Sequence, residues 1–386
     1  MTEWIECTLD KLGEIVGGAT PSTKCEDYYG GSIPWITPKD LSSFKGRYIT
    51  SGERNITEKG LASCSAQMMP KDAVLFTSRA PIGYVAIASQ SVCTNQGFKS
   101  IVVNEKADPL FVYYLLKYNK DAIEAMGSGT TFKEVSGKTM RAVKVRIPLD
   151  VSYQKRIDAV LDSLDTKIEN NERINDNLLA QAQTLYKQFF PYGVQDDLPD
   201  GWRIGTVGEI IEIHDSKRIP LSGADRSKME KKIYPYYGAA SLMDLVDNYI
   251  FDGKYLLLGE DGTVVDDAGY PILQYVWGQF WVNNHAHILT GRLGYDVESL
   301  YMLFKQTPVK SIVTGAVQPK ISQANLRSVQ VVIPPEHNLR EYNDLVEPLF
   351  SLFRANEEEC KTFTALRDAL LPKLMSGEID VSDVQL

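Results

Sequence analysis

The sequence predicts an α+β protein built from two tandem, mainly-β domains, each followed by a long helix. The main observation is an internal repeat. The segment GSGTTFKEVSGKTMRAVKVRIP, which begins at Gly127, recurs as VTGAVQPKISQANLRSVQVVIP, which begins at Val313. A shift of 186 residues aligns Gly129 with Gly315 and brings both Ile-Pro endings into register. Self-similarity over this length indicates two copies of one structural unit.

The second observation is a heptad pattern after each copy of the repeat. Apolar residues recur at alternating steps of four and three, which is typical of a coiled-coil seam. Two amphipathic helices that pack on separate cores are the alternative interpretation. The matching period and a polar Asn near the middle of each stretch favour a mutual pairing instead. The predicted seam consists of Ile157, Leu161, Leu164, Ile168, Asn171, Leu178, Leu185, Leu349, Phe353, Asn356, Phe363, Leu370 and Leu374.

The connections between the predicted elements set the direction of the helices. The first helix leads away from the first domain and the second leads back, so an antiparallel coiled coil with pseudo-twofold symmetry is expected. Asn171 and Asn356 are expected to lie near the crossing point. Each helix of roughly 40 residues would be about 60 Å long at 1.5 Å per residue, which suits a spacer better than a core helix.

The domain boundaries follow from composition. Short β-forming runs separated by Gly and Pro turns, such as residues 72–88, indicate that the segment before each helix is mainly β. A linker rich in Pro, Gly and Asp occupies residues 191–202. The sequence therefore predicts β domains at 1–150 and 191–335, spacer helices at 151–190 and 336–375, and a C-terminal tail at 376–386.

Composition excludes several classes of protein. No run of about 18 apolar residues indicates a transmembrane helix, and the acidic start MTEWIECTLD does not resemble a signal peptide. The five cysteines form no CxxC pair, so neither a disulfide framework nor a metal site is predicted, and a cytoplasmic protein is expected. The sequence also lacks dinucleotide-binding, Walker A, nucleophile-elbow and amino-methyltransferase motifs. We therefore predict no catalytic residue and no cofactor in this chain.

Several segments together resemble the specificity (S) subunits of type I restriction-modification enzymes. The most specific are the ending LLPKLMSGEIDV and the block from SGTTFKEVSGKTM to VRIP with the helix after it. WVNNHAHIL, YPYYGAASL and LLLGEDG also look like segments of the target recognition domains in this family. The duplicated layout of β domain and helix matches as well, so the resemblance covers the whole chain.

The resemblance implies a non-catalytic subunit that recognises DNA. Each β domain would be a target recognition domain that reads one half of a bipartite double-stranded target. The helices would space these domains and dock two modification subunits, which carry S-adenosylmethionine and methylate adenine N6. Restriction subunits, where a system has them, would use ATP and Mg²⁺.

Contacts with DNA need Lys, Arg and polar donors, and net charge is less informative than local distribution. The chain carries a net charge of −9, but much of the acid lies in the helices and tail. Solvated surface faces are the alternative for the basic clusters, and a packed core or polar rim is the alternative for the histidines. Trp35, Tyr236 and Tyr237 could instead be core aromatics, and Trp35 is better interpreted in that way. The candidate contacts are Lys39, Ser78, Arg79, Gln96, Lys99, Lys133 and Lys138 in the first domain, and Lys217, Arg218, Lys231, Lys232, Tyr236, Tyr237, Asn284, His285, His287, Gln318 and Lys320 in the second.

Two other functions compete with this one. A self-contained DNA-modifying enzyme would have to bind S-adenosylmethionine without any of the motifs sought above. A structural or inhibitory protein could occupy modification subunits without reading DNA. The divergence between the two β domains argues against it, because scaffolding alone needs no different surfaces.

Overall fold

The computed structural model describes residues 2–129, 133–315 and 317–385, and it confirms the predicted α+β class. Residues 130–132 and 316 of the two repeat copies, and the terminal residues 1 and 386, lie outside the described residues. The chain divides into two compact units, Met1–Glu172 with Glu357–Leu386 and Arg173–Asn356. Each unit therefore holds one β domain and part of both long helices.

Within the described residues, the first β domain consists of three sheets and five short α-helices. Its strands are β1 (Trp4–Thr8), β2 (Gly13–Gly17), β3 (Tyr29–Ile36), β4 (Tyr48–Ile49), β5 (Asn55–Ile56), β6 (Val74–Ser78), β7 (Ile82–Ala88), β8 (Cys93–Thr94), β9 (Lys99–Val103) and β10 (Lys144–Pro148). Its helices are α1 (Pro38–Ser42), α2 (Glu58–Ala62), α3 (Pro109–Tyr118), α4 (Lys120–Ala125) and α5 (Gly137–Ala142), and the long helix α6 (Val151–Phe189) follows. The strand orders are β2-β9-β6-β7-β4, β5-β3-β8 and β1-β10.

The second β domain repeats this plan. Its strands are β11 (Arg203–Thr206), β12 (Ile211–Ile213), β13 (Tyr234–Tyr237), β14 (Leu242–Val246), β15 (Phe251–Asp252), β16 (Tyr255–Gly259), β17 (Leu273–Val276), β18 (Gln279–Val282), β19 (Ala286–Gly291) and β20 (Gln330–Ile333). Its helices are α7 (Val207–Ile210), α8 (Gly223–Ser227), α9 (Val297–Phe304) and α10 (Gln323–Ser328), and the long helix α11 (Glu336–Ser376) follows. The strand orders are β12-β19-β16-β17, β14-β13-β18-β15 and β11-β20.

The two domains share most of their sheet topology. The order β2-β9-β6-β7 corresponds to β12-β19-β16-β17, and the pair β1-β10 corresponds to β11-β20. A parallel pairing, which is unusual between such short strands, recurs as β3 with β8 and as β13 with β18. The repeat seen in the sequence is therefore a repeat of the fold.

Aligned residues of the repeat have the same structural role. Ser136 caps α5 by accepting a hydrogen bond from the N–H of Thr139 at 3.0 Å. Ser322 caps α10 by accepting one from the N–H of Asn325 at 3.1 Å. A Ser at this position satisfies a helix N–H that has no partner within the helix, which is typically worth about 1 kcal/mol.

In the first unit, α6 and α11 pair in opposite directions. Asp165 accepts a hydrogen bond from Arg367 at 2.7 Å, and Asn171 donates one to Glu359 at 3.0 Å. From the first of these contacts to the second, the residue number rises along α6 and falls along α11. The helices are therefore antiparallel, as the sequence predicted. Asp165 also accepts a hydrogen bond from the hydroxyl of Tyr114 on α3 at 2.7 Å, so this ion pair joins the helices to the β domain.

The second unit shows the same antiparallel pairing. The amide of Asn356 donates to Asn175 at 2.8 Å, and the hydroxyl of Tyr342 donates to the carbonyl of Ala182 at 3.2 Å. Asn356 therefore pairs with Asn175, which lies four residues after Asn171 on α6. Both members of the Asn175–Asn356 pair are buried, so each amide needs the other as a partner. The pseudo-twofold relation stays a prediction.

The predicted seam is the face that the helices bury. Every residue predicted for the seam is buried or half-buried. Ile157 and Leu161 are completely buried and belong to the core of the first domain, together with Phe111 and Leu374. Full burial of such a side chain contributes roughly 1.5–3 kcal/mol. Within the described residues, no helix combines the length and apolarity that crossing a bilayer requires.

A buried carboxyl on α6 gives the first unit a pH-dependent stability. Asp158 is 5% exposed, and its Oδ2 has no hydrogen-bond partner. Burial, together with the neighbouring carboxyls of Asp108 and Asp162, raises the pKa of Asp158 to about 9. The folded chain therefore holds a proton here that the unfolded chain releases near pH 4.

The free energy of unfolding should fall as the pH rises from about 4 to about 9, by up to ~1.4 kcal/mol per pH unit from this group, because the folded state binds the extra proton in that range. Asp158→Asn should flatten this dependence and stabilise the chain at pH 8, as measured by denaturant unfolding across the pH range. Asp176→Asn, an exposed change on the same helix, is the control and should leave the slope as it is. Equal slopes in the wild type and Asp158→Asn would contradict this account.

Candidate nucleic-acid interface

One edge of the first domain's large sheet gathers segments that are far apart in the sequence. Strand β2 ends there at Gly17, opposite Lys99, the first residue of β9. Strand β6 ends there with Ser78, whose N–H donates to the carbonyl of Gly97 at 2.7 Å. The repeat segment joins them, because the N–H of Val135 donates to the carbonyl of Ser78 at 2.9 Å. We call this place the loop edge of the domain.

Two cations and one carboxylate dominate the loop edge of the first domain. Glu134 lies 3.6 Å from the guanidinium of Arg79 and 3.5 Å from the ammonium of Lys99. The backbones of Arg79 and Glu134 also pair through a β-bridge. The side chains of Arg79 and Glu134 are 35% and 40% exposed, so a ligand has access to them. Lys133 and Lys138 are exposed on the same repeat segment.

The other candidates in the first domain differ in their exposure. Lys39 and its partner Glu53, at 2.7 Å, are both exposed. Gln96 is exposed and contacts the hydroxyl of Thr20. Ser78 is completely buried, and its hydroxyl donates to a backbone carbonyl at 3.2 Å. The structure therefore contradicts a direct DNA contact for Ser78, which holds the loop backbone instead.

The second domain builds its loop edge with the same backbone bonds. The N–H of Glu260 donates to the carbonyl of His285 at 2.8 Å, and the N–H of Ile321 donates to the carbonyl of Glu260 at 2.8 Å. These are the two bonds that Ser78 makes in the first domain. Glu260 therefore occupies the position of Ser78, and His285 that of Gly97.

A buried polar network lies directly behind this second loop edge. His287 is completely buried, with Nδ1 2.6 Å from Asp215 Oδ2 and Nε2 2.8 Å from the carbonyl of Ile321. A carboxylate oxygen and a carbonyl oxygen both accept hydrogen bonds, so each ring nitrogen of His287 faces an acceptor. Arg218 completes the network, 2.6 Å from Glu260 and 3.4 Å from Asp215.

The network keeps its carboxylates ionised. Burial by itself would raise the pKa of Asp215, but hydrogen bonds from His287 and a backbone N–H, with the charge of Arg218, lower it overall. Burial would also raise the pKa of Glu260. Arg218, His287 and Lys320 lower it, and the net result is a lowered pKa. The carboxylates of Asp215 and Glu260 therefore face the guanidinium of Arg218 as charged groups.

The same residues form the one group of possible metal ligands among the described residues. The ligand atoms of Asp215, Glu260 and His287 all lie within 4.8 Å of one another. The guanidinium of Arg218 reaches both carboxylates, so a cation already balances this charge. We therefore assign no metal to the group.

Two candidates in the second domain are sealed in the core. Tyr236 is 1% exposed, and its hydroxyl accepts a hydrogen bond from the N–H of Leu221 at 3.1 Å. His287 is buried as described above. The structure contradicts the prediction that Tyr236 and His287 contact DNA, because neither side chain reaches the surface. Trp35 is buried as well, in agreement with its interpretation as a core residue.

The remaining candidates keep some surface. Arg218 is largely covered, and Tyr237 packs against Phe280. His285 is 43% exposed and lies 2.5 Å from Asp261. Their contact with DNA stays a prediction. The candidates that are exposed are Lys217, Lys231, Lys232, Asn284, Gln318 and Lys320.

Sequence reasoning missed the acidic residues of both loop edges. Glu134, Glu260 and Asp261 were not among the candidates, because contacts with DNA were sought among basic and neutral polar residues. One signal was available, since the repeat shift of 186 residues aligns Glu134 with Lys320. A charge reversal at aligned positions of two copies marks a site where the copies differ in chemistry.

The chain contains two copies of one β domain, and each copy packs on an antiparallel helix pair. Each copy has a charged loop edge, and the two edges differ in chemistry. The protein therefore has two different surfaces on one repeated scaffold. Residues 1–180 and 199–359 match the family model of the type I restriction modification DNA specificity domain. The chain belongs to this family, the specificity subunits of type I restriction-modification systems.

Individual relatives agree with this assignment. The chain is 30% identical to the type I restriction enzyme MjaIX specificity subunit of Methanocaldococcus jannaschii, over 99% of this chain and 95% of that protein. It is 28% identical to the EcoR124I/EcoR124II specificity subunit of Escherichia coli, over 48% of this chain and 46% of that one. A crystal structure of a type I S subunit from M. genitalium has the same fold, with a TM-score of 0.61 at 17% identity over 97% of this chain and 96% of that chain.

Proposed function

We propose that each β domain reads one half of a bipartite DNA target through its loop edge. The observation that carries this proposal is that the two edges share their backbone bonds and differ in their side chains. Arg79 has the backbone position of Asp261, and Glu134 that of Lys320. A conserved scaffold with exchanged side chains is the arrangement needed to recognise two different sequences, because base edges are distinguished by donors and acceptors.

The proposed contacts divide into two kinds. The exposed lysines of both edges would neutralise phosphates, which supplies affinity and register without sequence information. Arg79, held by its backbone bridge and partly exposed, is the candidate in the first domain for a base contact, since Arg can bind guanine with two hydrogen bonds.

The helix pair would connect recognition to modification. In this proposal α6 and α11 space the two domains and dock two modification subunits, which supply S-adenosylmethionine and methylate adenine. Restriction subunits would add ATP-dependent cleavage in a system that has them. The chain would act in the cytoplasm and catalyse nothing itself. The names of its relatives, all specificity subunits, support this division of labour.

Mapping methylated adenines in cells that express this chain with its cognate modification subunits tests the proposal. We expect one interrupted motif, in which two short defined sequences flank a gap of fixed length, and no methylation when this chain is omitted. Methylation at a single uninterrupted motif, or methylation that does not require this chain, would count against two reading domains.

A further inference from the structure

The carboxylate of Glu134 occupies the place where an anion would bind at the first loop edge. It faces Arg79 at 3.6 Å and Lys99 at 3.5 Å, and it is 40% exposed. These distances are longer than the 2.7–2.9 Å of a strong charge-assisted hydrogen bond. One half-exposed carboxylate is thus shared between two cations without a close bond to either.

The second loop edge holds its charges much more tightly. Lys320 has the backbone position of Glu134, and it lies 3.2 Å from Glu260. Glu260 in turn binds Arg218 at 2.6 Å, and His285 lies 2.5 Å from Asp261. The charges there are satisfied by close contacts within the domain, and the sign at the aligned position is reversed.

We propose that Glu134 is a resident counter-anion of Arg79 and Lys99, which DNA displaces when the first half-site binds: a phosphate takes the place of the carboxylate at Lys99, and Arg79 is released to contact a base edge. A phosphate oxygen and the Glu134 carboxylate compete for the ammonium of Lys99 and repel each other at this distance. The proposal rests on the function proposed above and adds to it: the first loop edge contains a phosphate site that its own carboxylate keeps occupied in the absence of DNA.

The carboxylate would serve specificity rather than affinity. Phosphate contacts are the same for every sequence, so two free cations would strengthen binding to all DNA equally. Glu134 weakens that general attraction, and the contacts to base edges then account for a larger share of binding. The reversed charge at Lys320 confines this effect to the first half-site.

The test uses the full chain assembled with its modification subunits and a fluorescent duplex of random sequence. Glu134→Gln should bind this duplex about threefold to tenfold more tightly at ~0.1 M monovalent salt, because about one more counterion is released on binding. The slope of log affinity against log salt concentration should steepen by about one. Glu134→Gln keeps the backbone bridge to Arg79, since that bridge does not use the side chain.

Two further variants separate this effect from a change in overall charge. Glu105→Gln makes the same charge change in an exposed residue beyond Val103, at the opposite end of β9 from Lys99, and should leave binding near that of the wild type. The double variant Glu134→Gln/Lys99→Gln should lose most of the gain, because one of the two freed cations is gone.

Affinity that is unchanged or lower in Glu134→Gln, or a gain of equal size in Glu105→Gln, would overturn the inference while DNA binding by the wild type persists. A wild-type complex that binds no duplex at any salt concentration contradicts the proposed function itself, and the inference with it.

Discussion

Arg47→Ala is expected to destabilise the first unit by about 2–4 kcal/mol. Arg47 is 6% exposed, and its guanidinium binds three residues of α6. It donates to Glu169 at 3.0 and 2.9 Å and to the hydroxyl of Thr166 at 2.9 Å, and it also binds Asp162. Removal of one member of a buried ion pair typically costs about 3–5 kcal/mol, because the partner charge stays buried. The expected loss is smaller here, since Asp162 and Glu169 retain 37% and 34% of their exposure.

Denaturant unfolding of the full chain measures this loss, and a nearby pair supplies the control. Lys45 pairs with Glu172 of the same helix at 3.6 Å, but its side chain is 76% exposed. Exposed pairs contribute about 0–1 kcal/mol, so Lys45→Ala should change stability by less than about 1 kcal/mol. Arg47→Lys should be intermediate, because an ammonium cannot reproduce the planar fork of the guanidinium. If Arg47→Ala and Lys45→Ala lose equal stability, Arg47 does not fasten the β domain to the helix.

The loss in Arg47→Ala should also depend on pH. Burial raises the pKa of Asp162, and the charge of Arg47 opposes that rise. Without Arg47 this carboxyl should take up a proton at a higher pH than in the wild type. The destabilisation should therefore be larger at pH 8 than at pH 5, because a protonated, neutral Asp162 no longer leaves an unpaired charge in a partly covered site.

The tandem architecture could be predicted from the sequence because both of its signals are periodic. A fixed shift between the copies reveals the duplication, and the heptad spacing reveals a helix pair that must bury one stripe. The shift of 186 residues also aligns Ser136 with Ser322, and both residues cap helices. Periodicity is a property of the sequence itself, so it can be recognised without knowledge of tertiary contacts.

The partner of Asn356 could not be predicted in the same way. Asn171 and Asn175 both lie on the seam of α6, one step of four apart, and the spacing within one helix does not choose between them. The choice depends on how far the two antiparallel helices are displaced along their common axis. Packing of each β domain against its helices fixes that register, as the contact of Tyr114 with Asp165 illustrates.

Burial explains the errors at the loop edges. His287 lies in a strand whose first four residues are all buried, so the strand does not alternate between core and surface. Tyr236 follows Pro235 in strand β13, where its ring is covered and its hydroxyl accepts a hydrogen bond. In a sequence, polar residues of this kind suggest contacts at the surface. Only their tertiary partners show that they are buried.

The central claim is that the two β domains read DNA independently, and an exchange of one recognition surface tests it most directly. Residues 28–120, which include Arg79 and Lys99 of the first loop edge, would be replaced by the corresponding region of a family member whose target is known. Arg47 and Tyr114 are retained in the exchanged chain, because both contact α6. The second loop edge, with Glu260 and Lys320, is untouched.

Methylated adenines are then mapped in cells that express the exchanged chain with its modification subunits. The account predicts a motif in which one half-site is that of the donor, while the other half-site and the length of the gap are those of the original chain. A motif in which both half-sites change, or an original motif that persists intact, would contradict independent reading by the two domains.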